Sequence, residues 1–501
     1  MTAISSMESY DVVVVGGGNT GLFTALRVHE TGAKVLVLEK GLKQFRGGNG
    51  YFTTGIYRIV LNGMEDVLDM IPDLTEEERS LEIPPYTAQE FYNDWKRITE
   101  GMADPELVEL VIGHSREVIK WAAKKQGIKM ELAGHGARSA DGRSLVFFDT
   151  PISGRGGGAG ISDQLYAAIE QKGIELLYGT KATKLLVDLT GRVHGVTVRR
   201  GDKTQDIKSK AVILACGGFE ANPEWRARYL GKNWDMAKVR GTRYNTADGL
   251  KMAMDIGAQM TGNWSGCHAI FIDAYAPQPA ILKDTDKSSK RGYAHGVVVN
   301  VEGKRFVDEG ADQTPFTYAR YGQYALSQPQ RIAFELFDSR AYPLLMKSTD
   351  YSGVPCTTGN TIEEIANKLA INPESLAKTI REYNESIRPG GTLRPEHMGQ
   401  MRGMANKHTV GISPAKSNFA FPLETPPFYV YPVACGITFT YGGLKINKRG
   451  QVLDTEDEPI RGLYASGEII GGFFYNNYPG ATGQMSGVVM AYISGANAAT
   501  D

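Results

Sequence analysis

Residues 10 to 40, YDVVVVGGGNTGLFTALRVHETGAKVLVLEK, constrain the fold more than any other stretch of the chain. Val12 to Val15 is an unbroken apolar run, as a parallel strand buried on both faces requires. Gly16, Gly18 and Gly21 follow as G-x-G-x-x-G, with Asn19 and Thr20 riding in the same turn. A helical stretch with Leu22, Ala25 and Leu26 on one face stops at Gly32, and a second strand, Val35 to Leu38, ends on Glu39 and Lys40. Gly16 permits the tight turn, Gly18 lets a pyrophosphate approach the backbone, and Gly21 lets the helix pack close on the strand. Glu39 is placed to accept hydrogen bonds from ribose hydroxyls. Strand, glycines, helix, strand and acid in that order point to a bound dinucleotide; the motif alone does not separate FAD from NAD.

A chain of 501 residues has room for two or three domains, and 42% hydrophobic content supports full cores. A net charge of −1 gives no electrostatic case for nucleic acid or an anionic membrane. Four scattered cysteines (Cys216, Cys267, Cys356, Cys435) argue against a disulfide framework or a zinc site and fit a reducing compartment. Residues 1 to 9 lack the basic and apolar regions of a signal peptide, and no apolar run approaches the roughly 20 residues that span a bilayer. The expectation is a soluble cytoplasmic protein with no metal and no direct membrane insertion.

Arg46-Gly47-Gly48-Asn49-Gly50 reads as a backbone-rich anion-binding loop or a surface turn, and the preceding dinucleotide unit favours cofactor contact. Residues 85 to 127 read as packing helices, with Asp104 as N-cap and Pro105 at the first helical position. PISGRGGGAG, residues 151 to 160, is a second glycine-rich loop. Strands at Ile174 to Tyr178, Ala182 to Val187 and Val193 to Val198 then precede a buried strand, Ala211 to Ala215, closing on Gly217 and Gly218. This order suits a Rossmann sheet with an antiparallel excursion, whose backbone near Lys181 and Ala182 would meet the adenine edge. Asp248 stands near the start of a helix, as a carboxylate favoured by the helix dipole or as a plain cap. From about 262 to 425 aromatics and prolines become frequent. The resulting organisation is an α/β, Rossmann-like FAD-binding domain (1–261 and 426–501) with an inserted α+β substrate-capping domain (262–425).

The stretches VVVVGGGNTGL with LEK, RGGN, AVILACGGFE, ADGLKMAMDIGA, VVVNVEGKRFVDEG, GITFTYGGLKIN and GLYASGE occur in order at compatible spacings. Together they resemble the flavoproteins of the succinate dehydrogenase and fumarate reductase superfamily. RGGN, RGTRYN, DEGAD with TYARYG, and GITFTYGG look most like its tricarballylate dehydrogenase branch. The resemblance implies FAD along the Rossmann domain, with Gly467 and Glu468 among its contacts, and a cap enclosing the substrate. It implies interconversion of a saturated and an unsaturated C–C bond beside a carboxylate or carbonyl, with electrons passing to a quinone-linked partner protein. The superfamily's covalent attachment uses a His in the loop that here reads Arg46 to Tyr51; no His stands there, which implies non-covalent FAD. Three departures set the chain apart from fumarate reductases: Thr438 stands where they carry a His, Gln313 or its neighbours where they carry an Arg acid, and Tyr478 where they carry a substrate Arg.

Dehydrogenation α,β to a carbonyl needs a base, a hydride acceptor and a group that stabilises the enolate. A carboxylate substrate also needs cations, for which Arg suits best. The candidates are Arg240, Arg243, His268, Arg291 and Arg320, with Arg305 taken as structural. Tyr478 is the sharpest: its Tyr-Pro-Gly resembles a motif of 3-ketosteroid dehydrogenases, where a Tyr hydroxyl polarises the substrate carbonyl. Gly480 to Met485, through Gly483, would then lead a helix N-terminus to the flavin. The leading reading is a dehydrogenase of a tricarballylate-like polycarboxylate or related small acid, giving the enoate; the alternatives are a dehydrogenase of a cyclic or lipophilic ketone and a flavin electron-transfer subunit without a substrate of its own. Converging cations favour the first, an aromatic slot the second and a filled cap the third.

Overall fold

The structure is a computed structural model that describes residues 9–133, 137–138, 145–146, 151–393 and 405–501. Its first sheet is built on the Val-rich run. Ser9–Val15 pairs in parallel with Val35–Leu38 on one side and with Lys203–Leu214 on the other. Glu175–Leu177 extends the sheet beyond Val35–Leu38, and Pro459–Ala465 extends it beyond Lys203–Leu214, both in parallel. Gln451–Leu453 closes one edge antiparallel. The antiparallel excursion is present as Lys181–Val187 and Val193–Arg200, hung on Lys203–Leu214. Val12, Val13 and Val14 are fully buried, as a strand covered on both faces must be.

The chain leaves Ser9–Val15 toward one side of the sheet and returns to its other side. A crevice therefore opens at the carboxyl ends of Ser9–Val15 and Lys203–Leu214, the place where open α/β sheets bind ligands. The glycines shape that crevice. Gly16 has φ +118°, and a Cβ there would lie 2.3 Å from the Ala215 carbonyl oxygen. A Cβ on Gly21 would lie 1.9 Å from the Gly16 carbonyl oxygen, so helix Asn19–Glu30 can sit on the strand only without one. The C-terminal helix Thr482–Ala498 packs on Asn19–Glu30 and brings its own first turn to the same crevice.

The second sheet is centred on one long strand, Phe428–Leu444. Met260–Asp273 runs antiparallel along it, and Ile332–Phe337, Thr357–Gly359 and Lys238–Val239 also pair with it. Sequence composition places the capping domain at 262–425, but this sheet takes in Lys238–Val239 and Phe428–Leu444 as well. A composition shift marks where aromatics thicken; the hydrogen-bond ladder continues through both boundaries. Helices Ile362–Lys368 and Pro373–Ser386 cover one face through Ile365, Leu376, Ile380 and Tyr383, packed with Val297, Phe334 and Val430. The glycine-rich stretch at 151–160 is strand Ile152–Gly154 running into helix Gly157–Gln171, not a loop. Gly158 begins the helix against the Gly50 carbonyl, where a Cβ would come within 2.1 Å. Among the described residues, no helix is long and apolar enough to cross a membrane.

Two valine substitutions separate packing from ligand approach. A Cβ on Gly18 meets nothing nearer than Gly48 Cα at 3.8 Å, at an ordinary negative φ. With FAD removed from both, Gly18→Val should melt close to wild type, whereas Gly21→Val should lose about 3 kcal/mol or more through the carbonyl clash and purify largely unfolded. Circular dichroism melts of both variants check this; equal melts would refute the packing role assigned to Gly21.

Candidate active site

A cavity of about 810 Å³ runs from the glycine turn into the cap. At its first end lie Gly16, Gly18, Asn19, Thr20, Glu39 and Lys40, faced by Gly48, Asn49 and Gly50. Glu39 is buried, and its carboxylate accepts from the N–H groups of Gly17 (3.0 Å) and Gly41 (2.5 Å). Burial raises its pKa above the ordinary value, and those two donors offset part of the rise. Asp248 begins helix Asp248–Met254 and pairs with Lys40 (2.5 Å) and Lys181 (2.7 Å). Burial works against its charge, yet the two lysines hold its pKa below the usual carboxylate range. Lys181 and Ala182 line this end of the cavity, at the level where sequence reasoning puts the adenine. Asn19 carries the observation that tests the fit. Its amide is buried in the cavity wall, and neither amide atom has a partner among the described residues. An orphaned amide beside an open glycine turn fits the polar backbone of a dinucleotide.

The middle of the cavity carries two carboxyl groups. Glu468, on the short turn Gly467–Ile469, lines the cavity and accepts from the Thr440 N–H (3.0 Å). Glu220 lies behind it, with no solvent exposure. Asn245 Nδ2 bridges the two, donating to Glu220 Oε1 (2.5 Å) and Glu468 Oε2 (3.2 Å). Asn49 Nδ2 also donates to Glu220 Oε1 (2.5 Å). Amide N–H groups and the Thr440 hydroxyl serve this pair among the described residues, and the nearby Arg226 guanidinium donates to main-chain carbonyls, including that of Glu220. Two adjacent buried carboxyls with no cation bonded to either, among the described residues, resist ionising together. Burial first, and then its neighbour Glu468, push Glu220 well above the ordinary value of 4.5, so Glu220 holds the shared proton.

The far end of the cavity is aromatic. His268 lies between Phe439, Tyr478 and Tyr318, with ring centroids at 5.0, 4.8 and 5.1 Å. The hydroxyls of Tyr318 and Tyr478 are 2.5 Å apart, and the Ala481 N–H donates to the Tyr478 oxygen (3.2 Å). Both phenols are neutral, held above their ordinary pKa by burial. If Tyr478 accepts from both Tyr318 and Ala481, its own proton remains for a ligand in the cavity. Burial, with Arg240 nearby, drives the His268 ring well below its ordinary pKa, so it is a neutral imidazole, and its Nδ1 has no partner among the described residues.

Arg240 and Arg291 line the same end, and both are engaged. Arg240 bonds Asp286, Ser289 Oγ (3.0 Å) and Thr438 Oγ1 (3.2 Å). Arg291 meets Asp350 through two bonds (Nε to Oδ2 2.8 Å, Nη2 to Oδ1 2.6 Å) and Asp286 through one (2.7 Å).

Several expected site residues stand elsewhere. Arg243 is exposed in a turn, with its guanidinium over the Phe45 ring at the dinucleotide end. Arg320 lines a separate cleft, its Nε donating to Tyr324 Oη (3.1 Å) one helical turn on. Gly21 and Gly218 act in packing; a Cβ on Gly218 would lie 2.2 Å from Thr440 Oγ1 and 2.4 Å from Glu468 Oε1. Gly47 supplies the φ of +123° that turns its loop, while Arg46 stacks on Tyr166 and reaches Tyr178 Oη (3.3 Å). Met485 is fully buried in the core; Gly483 and Gln484, before it, line the cavity. Gly217 and Gly467 also line it. Sequence reasoning missed Tyr318, Asp286, Asp350, Glu220 and Asn245. Only Glu220 carries a local signal, as an acid directly after an apolar strand and Gly-Gly-Phe.

The shared proton has a consequence for stability. The folded state keeps a proton on Glu220 that the unfolded chain releases above pH 4.5, so this group costs stability as pH rises from there toward its folded pKa. Glu220→Gln keeps a donor toward Glu468 without the titration. Its thermal midpoint relative to wild type should climb from pH 5 to pH 7; a difference independent of pH would show that the pair does not share a proton.

With the geometry in hand, similarity to known proteins gives the family. Residues 11–484 match the FAD binding domain family. The chain is 28% identical to the probable fumarate reductase Ifc3 of Shewanella frigidimarina, covering 99% of this chain and 76% of that protein. It is 26% identical to the vinyl phenol reductase of Lactiplantibacillus plantarum, over 99% of this chain and 96% of that one. The open conformation of a flavocytochrome c3 fumarate reductase superposes with a TM-score of 0.73 at 25% identity, covering 99% of this chain and 79% of that one. The cavity, its glycine turn and the matched length agree: the chain is an FAD-dependent oxidoreductase that belongs to the FAD-binding family of the succinate dehydrogenase and fumarate reductase superfamily.

Proposed function

We propose that this protein forms or reduces a C–C double bond α,β to the carbonyl of a small uncharged substrate, a cyclic or lipophilic ketone. The Tyr318–Tyr478 hydroxyl pair, set in a cage with His268 and Phe439, carries this reading. Bound FAD supplies the hydride acceptor or donor. The protein supplies the rest. Tyr478 donates to the substrate oxygen and stabilises it as it takes on enolate charge. Its oxygen is held from two sides, so no reorganisation is needed when charge develops. His268, a neutral imidazole whose Nδ1 has no partner among the described residues, is the base assigned to the α-proton. The aromatic walls exclude water, which strengthens each of these bonds.

A tricarballylate-like polycarboxylate is the second reading. The presence of Arg240 and Arg291 in the wall beside His268 favours it; their engagement with Asp286 and Asp350 weighs against it. The open cavity speaks against a mere electron-transfer subunit. The chain has one dinucleotide fingerprint, used by FAD, so electrons pass to a partner protein or dye rather than to NAD.

Anaerobic bleaching of the flavin against cyclic ketones and polycarboxylates separates the readings; bleaching by tricarballylate and not by any ketone overturns the first. In single-turnover flavin reduction by the ketone that bleaches fastest, Tyr478→Phe should cost about 3 kcal/mol, on the order of a hundredfold, with FAD content retained. A change below threefold moves Tyr478 to a packing role. The loop Arg46 to Tyr51 holds no His, so acid precipitation should release all flavin as FAD; flavin retained in the pellet would mean covalent attachment.

A further inference from the structure

The arrangement of Arg291 is the one by which proteins recognise carboxylates: a guanidinium side presenting two parallel N–H groups, here to Asp350 at 2.8 and 2.6 Å. The ligand in that fork is the protein's own side chain. Asp350 is 2% exposed and lines the cavity together with Arg291. Its main chain is pinned. The buried Lys290 ammonium donates to the Asp350 carbonyl (2.7 Å) and to that of Ser289 (3.1 Å). The next residue, Tyr351, accepts from the Gly292 N–H (2.6 Å) and donates to Glu335 (2.7 Å). The carboxylate is therefore a fixed piece of wall. Asp286 completes the set, shared between Arg240 and Arg291 and bonded by Ser289 Oγ (2.6 Å). Arg240 and Arg291 meet Asp286 and Asp350 here, the Lys290 ammonium sits on the main chain behind Asp350, and His268 adds no charge.

We propose that Asp350 determines substrate specificity by occupying the arginine fork, so that carboxylates are excluded and the cavity retains a latent carboxylate site at Arg291. The inference rests on the ketone reading of the same site. An incoming carboxylate finds the planar donor face already filled and meets a like charge beside it. Removing the Asp350 side chain leaves the fork open and one positive charge uncompensated, which is what an anionic ligand requires.

The test uses the FAD-loaded protein and two probes, acetate and tricarballylate, with chloride as the control for ionic strength. In Asp350→Ala, acetate should raise the thermal midpoint saturably by refilling the fork, and chloride should not. Tricarballylate should perturb the flavin spectrum with an affinity about tenfold or more above wild type. Adding Arg291→Gln to Asp350→Ala should abolish both effects. If Asp350→Ala does not fold, Asp350→Asn keeps the shape and removes the charge, and should still bind tricarballylate at least about threefold more tightly than wild type. Wild type that binds tricarballylate as tightly as the variants overturns the proposal, as does a variant that gains nothing. Ketone bleaching of the wild type keeps the two claims apart. Ketones that bleach while the variants gain no anion affinity defeat only the role of Asp350; tricarballylate that bleaches where ketones do not defeats both.

Discussion

The side chain of Asn49 ties together the parts that make the site. Its amide nitrogen donates to Glu220 Oε1 (2.5 Å) and to the Thr438 carbonyl (2.6 Å), and its oxygen accepts from the Thr242 N–H (2.9 Å). Those partners come from the loop after strand Lys203–Leu214 of the first sheet, from the long strand of the second, and from the segment that delivers Arg240. A Cβ on Gly241 would come within 2.2 Å of the Asn49 oxygen, so that segment passes close over the amide. Buried amides tolerate few arrangements because each missing bond costs the full desolvation of the group. One residue of the RGGN loop thus sets the height of the cap strand above the dinucleotide turn, and with it the distance from the glycines to the tyrosines.

This explains what was legible in the sequence. The dinucleotide unit is local: the apolar run, the glycine spacing and Glu39 lie within one supersecondary motif, and each has a single physical use. Asp248 and Lys181 are nearly as readable, one from its place at a helix start and the other from the strand order. The cap is different. Tyr318 and Tyr478 meet across distant parts of the chain, and nothing in TPFTYARYG distinguishes Tyr318 from Tyr321, which is buried in the cap core. Arg320 follows Tyr318 by two positions and so points to a different face of the same helix. Counting cations in a stretch says nothing of which face they occupy, and nothing of whether an aspartate has already claimed them.

That last point governs the chemistry of the far end. A buried ion pair adds little to stability once desolvation is counted, and breaking one by removing a partner is costly. The Arg240–Asp286–Arg291–Asp350 set is therefore poorly explained as a stabilising device, since apolar side chains of the same volume would serve the core as well. Its effect is on the field. Pairing with Asp286 and Asp350 offsets much of the arginine charge that the tyrosine pair and His268 face.

An environment of that kind suits an uncharged carbonyl better than an acid. In a cavity with free arginines, the largest electrostatic energy belongs to ground-state binding of a carboxylate, which is the same before and during reaction and does not accelerate it. Where the arginines are already engaged, and with Tyr318 donating to Tyr478, the hydroxyl proton of Tyr478 is the interaction available to a ligand carbonyl. That bond strengthens only as negative charge accumulates on the substrate oxygen, so the energy goes into the transition state. The geometry that makes this possible, an oxygen fixed by Tyr318 on one side and by the Ala481 N–H at the entrance of helix Thr482–Ala498 on the other, uses the positive end of the helix that packs on the dinucleotide helix Asn19–Glu30. The packing that positions the cofactor turn therefore also fixes the Tyr478 oxygen, where the proposed enolate would be stabilised.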